Sequence, residues 1–377
     1  MKNLPHSRRN FIIKTGTLGA SIFLSPYLSW SKSKKEEIEA ILVKNLGIDT
    51  HNHIDVPLNK ADFPGPKLDL LGEMKKSGLS AICMTFALDY QKLSREGEAF
   101  ERFENGLNAL DEVLNQNGME RALVFGDLER SIKNNQPTLI QSIEGGHFLE
   151  GKLERLEWAY KRGLRHFGLL HDSNASTPLG DIYTNPPQWN GLTDFGKQVV
   201  EECNRLGILI DLTHCSNEAI NAALKISKTP MMVSHTGLNT QLGNNPQMAK
   251  IMAPRLISRE QAKILADSGG VIGVWTHLSD SALEYAQNIK AMVNVVGIDQ
   301  VCIGTDTKMT PSYHPEGDAP RPPRNGERTN GAWAGQSQGF YYEVVDALLK
   351  TGFKEEEIAK IGSLNFLRVL KLALNKR

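Results

Sequence analysis

Eight short apolar runs recur along this chain, and each but the last is followed by a longer amphipathic stretch. No other feature restricts the fold as strongly. The runs are Leu46 to Asp49, Leu79 to Phe86, Thr138 to Ile143, Leu164 to Leu170, Ile208 to Leu212, Met231 to Ser234, Val271 to Val274 and Val301 to Gly304. Between them the spacing predicts helices over 68–76, 97–115, 153–162, 193–205, 218–226, 258–267 and 283–295. Strands that alternate with helices pair in parallel through right-handed crossovers. Eight such units fit a closed (β/α)8 TIM barrel better than an open sheet, and a barrel gathers its functional residues at the C-terminal strand ends. No repeat, linker or low-complexity tract divides the chain, so a single barrel domain is expected over residues 31–377. Its one irregular stretch, Met309 to Gln338, is rich in Pro, Gly, Asn and Arg. It follows the last strand and is expected to overhang the barrel mouth as a lid.

The first thirty residues stand apart. Ser7-Arg8-Arg9-Asn10-Phe11-Ile12-Ile13-Lys14 has the twin-arginine pattern ahead of a weakly apolar run, Thr15 to Leu28. A spanning helix wants about 20 apolar residues, and this run is too short and too rich in Ser, Thr and Gly. The reading is a signal segment over 1–30 and a periplasmic or otherwise exported protein, although no clean cleavage site is visible. The 43 Lys and Arg balance the 43 Asp and Glu, which leaves no long-range attraction for nucleic acid or anionic lipid. Cys83, Cys203, Cys215 and Cys302 form no C-x-x-C pair and read as buried thiols. The partners expected are therefore a small-molecule substrate, no nucleic acid and no stable membrane span after signal removal, with a homodimer left open.

Chemistry concentrates where the runs end. Asp49-Thr50-His51-Asn52-His53 closes the first run, and two histidines one residue apart can reach one ion, or can be solvated at a turn. Ionisable residues then follow nearly every strand: Glu144 the third, His171 the fourth, His214 the fifth, His235 the sixth and Asp306 the eighth. Each has a plain reading: Glu144 as a helix cap, His147 and His214 as satisfied loop residues, Asp306 as an Asx turn. In a barrel all of them converge. Four histidines, a glutamate and an aspartate are the ligand inventory of a two-metal hydrolytic site, where a carboxylate bridges ions about 3.5 to 4 Å apart.

These residues, with Ile143-Glu144-Gly145-Gly146, Leu170-His171-Asp172-Ser173-Asn174, Gly191-Leu192-Thr193, Ile210-Asp211-Leu212-Thr213-His214, Ser234-His235-Thr236, Arg255-Leu256-Ile257-Ser258, Gly304-Thr305-Asp306 and Asn365-Phe366-Leu367-Arg368-Val369, give the chain a family likeness. It resembles the membrane (renal) dipeptidase family of zinc peptidases in the amidohydrolase superfamily. The resemblance implies two Zn2+ ions per chain: His51, His53 and Asp306 on one, His214 and His235 on the other, Glu144 bridging. It implies amide hydrolysis of dipeptides or small acyl-amino acids by a metal-bridging hydroxide, with His171 facing the carbonyl, Asp306 moving the proton and Arg255 binding the substrate's carboxylate. Two departures stand out. His53 replaces the family's usual Asp, which makes the cluster one unit more positive and puts the native metal in question, and Thr307-Lys308 replaces a second Asp. An N-acyl amino acid deacylase or lactonase, and a non-catalytic periplasmic binding protein, are the alternatives. No G-x-S-x-G elbow is present to support a serine hydrolase.

Overall fold

The computed structural model describes residues 25–312 and 326–375, with side chains from residue 34 onward. The twin-arginine motif and residues 1–24 as a whole lie outside the described residues, as does the middle of the long stretch after the last strand. Nine strands form the sheet: β1 (Ile48–His53), β2 (Ala81–Thr85), β3 (Thr138–Glu144), β4 (Leu164–Gly168), β5 (Leu209–Asp211), β6 (Met232–Thr236), β7 (Val271–Val274), β8 (Val301–Ile303) and β9 (Thr307–Lys308). All pairings are parallel, and β1 bonds to both β2 and β8, so the barrel closes. The short β9 extends the line of β8 and pairs with the end of β1, Lys308 opposite His53.

The helices are α1 (Ser25–Lys44), α2 (Leu70–Ser77), α3 (Glu98–Asn117), α4 (Phe125–Lys133), α5 (Glu154–Lys161), α6 (Asp194–Leu206), α7 (Asn217–Ile226), α8 (Pro246–Met252), α9 (Arg259–Asp267), α10 (Ala282–Val296), α11 (Phe340–Lys350), α12 (Glu355–Ala359) and α13 (Asn365–Leu374). Several start where the sequence offers a hydroxyl to an unpaired backbone N–H: Thr193, Ser216, Ser258 and Ser281 each accept from the N–H three residues on. α1 runs across residue 30, the expected end of the signal segment, and buries Ile38 and Ile41 in the core. No helix among the described residues is long and apolar enough to cross a membrane.

Two apolar layers hold the barrel. The larger lies between strands and helices and contains Phe103, Phe148 and Phe167. The smaller fills the barrel's N-terminal end: Ile48, Ala81, Cys83, Ile140, Leu209, Met232, Val271 and Cys302 pack on Phe366, Val369, Leu370 and Ala373 of α13. The side chains of Asn365 and Arg368 tie that helix to backbone carbonyls of Val301 and Gly269, both at 2.8 Å. The C-terminal family motif is therefore the floor of the barrel and carries no chemistry. All four cysteines are buried and unbridged. The described ends of the stretch after the last strand are not loose: Met309 and Thr329 are buried, and Lys308 N–H donates to Glu327 at 2.9 Å.

Candidate metal centre

At the opposite end of the barrel, six predicted residues from five strand ends meet. Glu144 is the hub. Its Oε1 lies 2.8 Å from His214 Nε2, 3.5 Å from His51 Nε2 and 3.6 Å from His235 Nε2, and its Oε2 lies 4.0 Å from His53 Nε2. Asp306 Oδ1 is 3.0 Å from His53 Nε2 and 3.7 Å from His51 Nε2. Two of the donor groups that could hold an ion are His51, His53, Asp306 and Glu144, His214, His235.

Strand irregularities aim these side chains. On β1, Asp49 pairs with Ile82 but Asn52 with Met84, so three residue steps oppose two. A strict period of two would send His51 and His53 to the face opposite Ile48, away from the barrel axis. The extra residue of the bulge turns them inward. β6 repeats the device: Val233 pairs with Ile272 and Thr236 with Val274, so Ser234 and His235 both face the interior. Room for this comes from Gly273 and Gly304, where a Cβ would fall 1.8 Å from the Ser234 carbonyl oxygen. His214 and Asp306 adopt left-handed backbone angles, φ 67 and 57, a conformation that costs a non-glycine residue about 1 to 3 kcal/mol and persists where the surroundings enforce it.

A second ring of groups fixes each imidazole. Ser234 Oγ lies 3.2 Å from His51 Nδ1, 2.9 Å from His235 Nδ1 and 2.5 Å from Asp211 Oδ2. A hydroxyl that donates to Asp211 has two lone pairs left, and these accept one N–H from each histidine. Both Nε2 lone pairs then face the cluster, the tautomer a metal needs. Asp211 also accepts from Thr213 and from the Ser234 backbone, which occupies its oxygens with donors. His214 Nδ1 meets Tyr183 Oη at 2.9 Å and Asp172 Oδ1 at 3.3 Å. His171 Nδ1 is 2.5 Å from Asp89, leaving Nε2 3.4 Å from Glu144 Oε2.

The geometry fits bound metal. Ligand atoms about 2.0 to 2.1 Å from a tetrahedral centre lie roughly 3.3 Å apart, and the separation of His51 Nε2 from His53 Nε2 is 3.2 Å. The electrostatics agree. Burial opposes charge on Glu144, but His51, His171 and His214 outweigh it and hold the carboxyl well below the usual range. Asp306 is held low against burial by His235, His277 and His53. Burial disfavours the charged form of His51 and His214, yet the surrounding carboxylates raise them to about 9 and about 10, while burial and the charge of His51 lower His235 to about 3. The carboxylates demand positive charge at the centre of the cluster.

Arg255 does not touch the six. It sits on a 3-10 turn with Nη2 2.8 Å from Asp172 Oδ2, and its guanidinium lies over Tyr183. His147 belongs to the Asp89 side, with Nε2 3.0 Å from the Ser173 carbonyl. A cavity of about 820 Å3, lined by His53, Tyr90, His277, Asp306 and Trp333, opens on one flank; another of about 310 Å3, lined by Tyr183, His214 and Arg255, opens on the other. Asp89 and His277 escape the sequence reading although they follow the second and seventh strands, the two strand ends to which the rule of an ionisable residue was not applied. His277 Nε2 lies 2.7 Å from Asp306 Oδ2. Asp172 follows His171 within a family stretch but carried no assigned role, and Tyr183 has no comparable signal.

The family model for membrane dipeptidase (peptidase family M19) matches residues 35–317. Dipeptidase 3 of Mus musculus is 27% identical over 244 residues, 61% of this chain but 43% of the mouse protein, so the match spans under half of that relative. Among solved structures, a probable dipeptidase of Pseudomonas aeruginosa superposes with a TM-score of 0.71 at 20% identity, covering 92% of this chain and 100% of that one. A metallopeptidase of Rhodobacter sphaeroides, solved with a phosphinate mimic of the dipeptide L-Ala-D-Ala, gives 0.66 at 17%, covering 87% and 99%.

Proposed function

The chain belongs to the membrane dipeptidase family of metallopeptidases, and from that premise we propose that it hydrolyses the amide bond of dipeptides or similarly small acyl-amino acids with two zinc ions. The observation that carries this reading is the convergence on Glu144 of three imidazole nitrogens within 3.6 Å, two of them with their far nitrogens held by one serine hydroxyl. His51, His53 and Asp306 would hold one ion, His214 and His235 the other, with Glu144 between. When bound, such ions would lower the pKa of a bound water toward about 7 and polarise a carbonyl.

The chain's own groups do the rest. Asp306 accepts the proton lost by the attacking water as the new C–O bond forms, then delivers it to the amine nitrogen as the C–N bond breaks. His277 Nε2 holds Asp306 Oδ2 at 2.7 Å, and both residues line the larger cavity. His171, oriented by Asp89, presents Nε2 toward the carbonyl oxygen, where a hydrogen bond to a developing oxyanion is worth about 3 to 4 kcal/mol. Arg255 offers a planar fork of donors to a carboxylate. The twin-arginine segment supports export, which would place the reaction in the periplasm.

The test pairs metal analysis by plasma mass spectrometry with hydrolysis of a panel of dipeptides, acyl-amino acids and lactones, on wild type and on Glu144→Ala. The wild type is expected to carry two ions and to prefer dipeptides. The variant is expected to lose part of its metal and at least about 1,000-fold in turnover, since a ligand shared by both ions acts on both. Wild-type turnover in that variant would reject the reading, and a metal-free, inactive wild type would favour a binding protein.

A further inference from the structure

Arg255 is already engaged. Nη2 donates to Asp172 Oδ2 at 2.8 Å, and among the described residues its side chain makes no second hydrogen bond. Half of a fork built for two parallel bonds to a carboxylate is used, and the carboxylate using it belongs to the protein. The pair is partly exposed, 29% for Arg255 and 42% for Asp172, on the rim beside His214. An exposed ion pair of this kind is weak and exchangeable.

Resting on the hydrolase reading above, we infer that Asp172 is a specificity-determining residue: it occupies the carboxylate seat of Arg255 in the free protein, and a substrate's carboxylate binds by replacing it. Two geometric features support this. The other oxygen of Asp172 lies 3.3 Å from His214 Nδ1, so on leaving Arg255 the carboxylate keeps a partner. Tyr183 Oη lies 2.9 Å from the same nitrogen, so movement of Asp172 does not orphan the histidine. The arginine and aspartate together present no net charge to an arriving substrate, which weakens selection for a charged C-terminal end over a capped one.

The experiment measures a selectivity ratio: kcat/KM for a dipeptide with a free carboxylate, divided by that for its C-terminal amide. A ratio taken on one preparation cancels any loss of metal or folded protein. In zinc-loaded Asp172→Asn the ratio is expected to rise about three- to tenfold, the size of a partly exposed charge interaction. In Arg255→Gln it should fall toward one, and adding Asp172→Asn to that variant should then change nothing, a double-mutant cycle that isolates the pair. The same ratio is read from Kd by calorimetry, using a phosphinate dipeptide mimic and its carboxamide. An unchanged or lower ratio in Asp172→Asn overturns the inference and shows that Asp172 only orients the arginine. A zinc-loaded wild type that cleaves neither substrate overturns the hydrolase reading instead, and the inference is then judged on the Kd ratio alone.

Discussion

The two ends of this barrel are made by the same strands and obey opposite rules. At the floor, Ile48, Ala81, Ile140, Leu209, Met232 and Val271 keep the regular inward phase and pack on α13. At the rim, β1 and β6 carry bulges, His214 and Asp306 take left-handed backbone angles, and almost every inward group is polar. Apolar packing is non-directional and tolerates regular geometry, so the floor supplies stability. Bringing four nitrogens and two carboxylates to one point needs exact directions, so the rim departs from regular structure and relies on the floor to hold it there.

That division can be broken from either side. The largest effect is expected at the floor: Phe366→Ala removes a fully buried ring and should destabilise by about 3 to 5 kcal/mol in denaturant unfolding. The protein that remains folded should keep its metal content and kcat/KM; loss of metal would show that the two ends are not separable. At the rim, Ser234→Ala removes the acceptor shared by His51 and His235. It should weaken metal affinity by about 10- to 100-fold, the usual cost of an outer-shell partner, measured by competition with a chelator. An affinity within twofold of wild type would mean that the serine does not set the tautomers.

The smallest effect concerns the layer between. His166 is buried, its Nδ1 2.7 Å from Ser142 Oγ, its Nε2 without a partner among the described residues. Burial depresses it from 6.5 to about 4 despite the pull of Asp211. The folded state therefore keeps this ring neutral while the unfolded chain takes a proton, so the contribution is complete above pH 6.5 and is lost as pH falls toward 4. By about pH 5.5 roughly 1 kcal/mol should be gone. His166→Gln should flatten that part of the stability profile; an unchanged slope would place the acid sensitivity elsewhere, in the rim cluster.

The strands and the helices between them were legible because periodicity is local: each apolar run declares its own burial. The six candidate ligands were legible because a barrel puts every strand end on one rim, so position alone collects them. Asp89 and His277 obeyed the same rule and were within reach of it. The parts played by Ser234, Asp172 and Tyr183 were not, since Asp172 and Tyr183 meet partners 31 or more residues away in sequence and Ser234 owes its aim to a bulge that no pattern marks. α1, α4, α8 and the helices after β9 were not read as helices, although α4 and α13 carry a clear amphipathic pattern.

By itself, then, the sequence determined the barrel, the ends of its strands and the inventory of side chains at one mouth, all of which depend on neighbours along the chain. Only the tertiary structure decided which nitrogen of each histidine faces the centre, which carboxylate the imidazoles surround, and that Arg255 already holds Asp172. Those are questions of direction between atoms brought together from distant strands, and direction is set by bulges, backbone angles and hydrogen bonds that exist only once the barrel has closed.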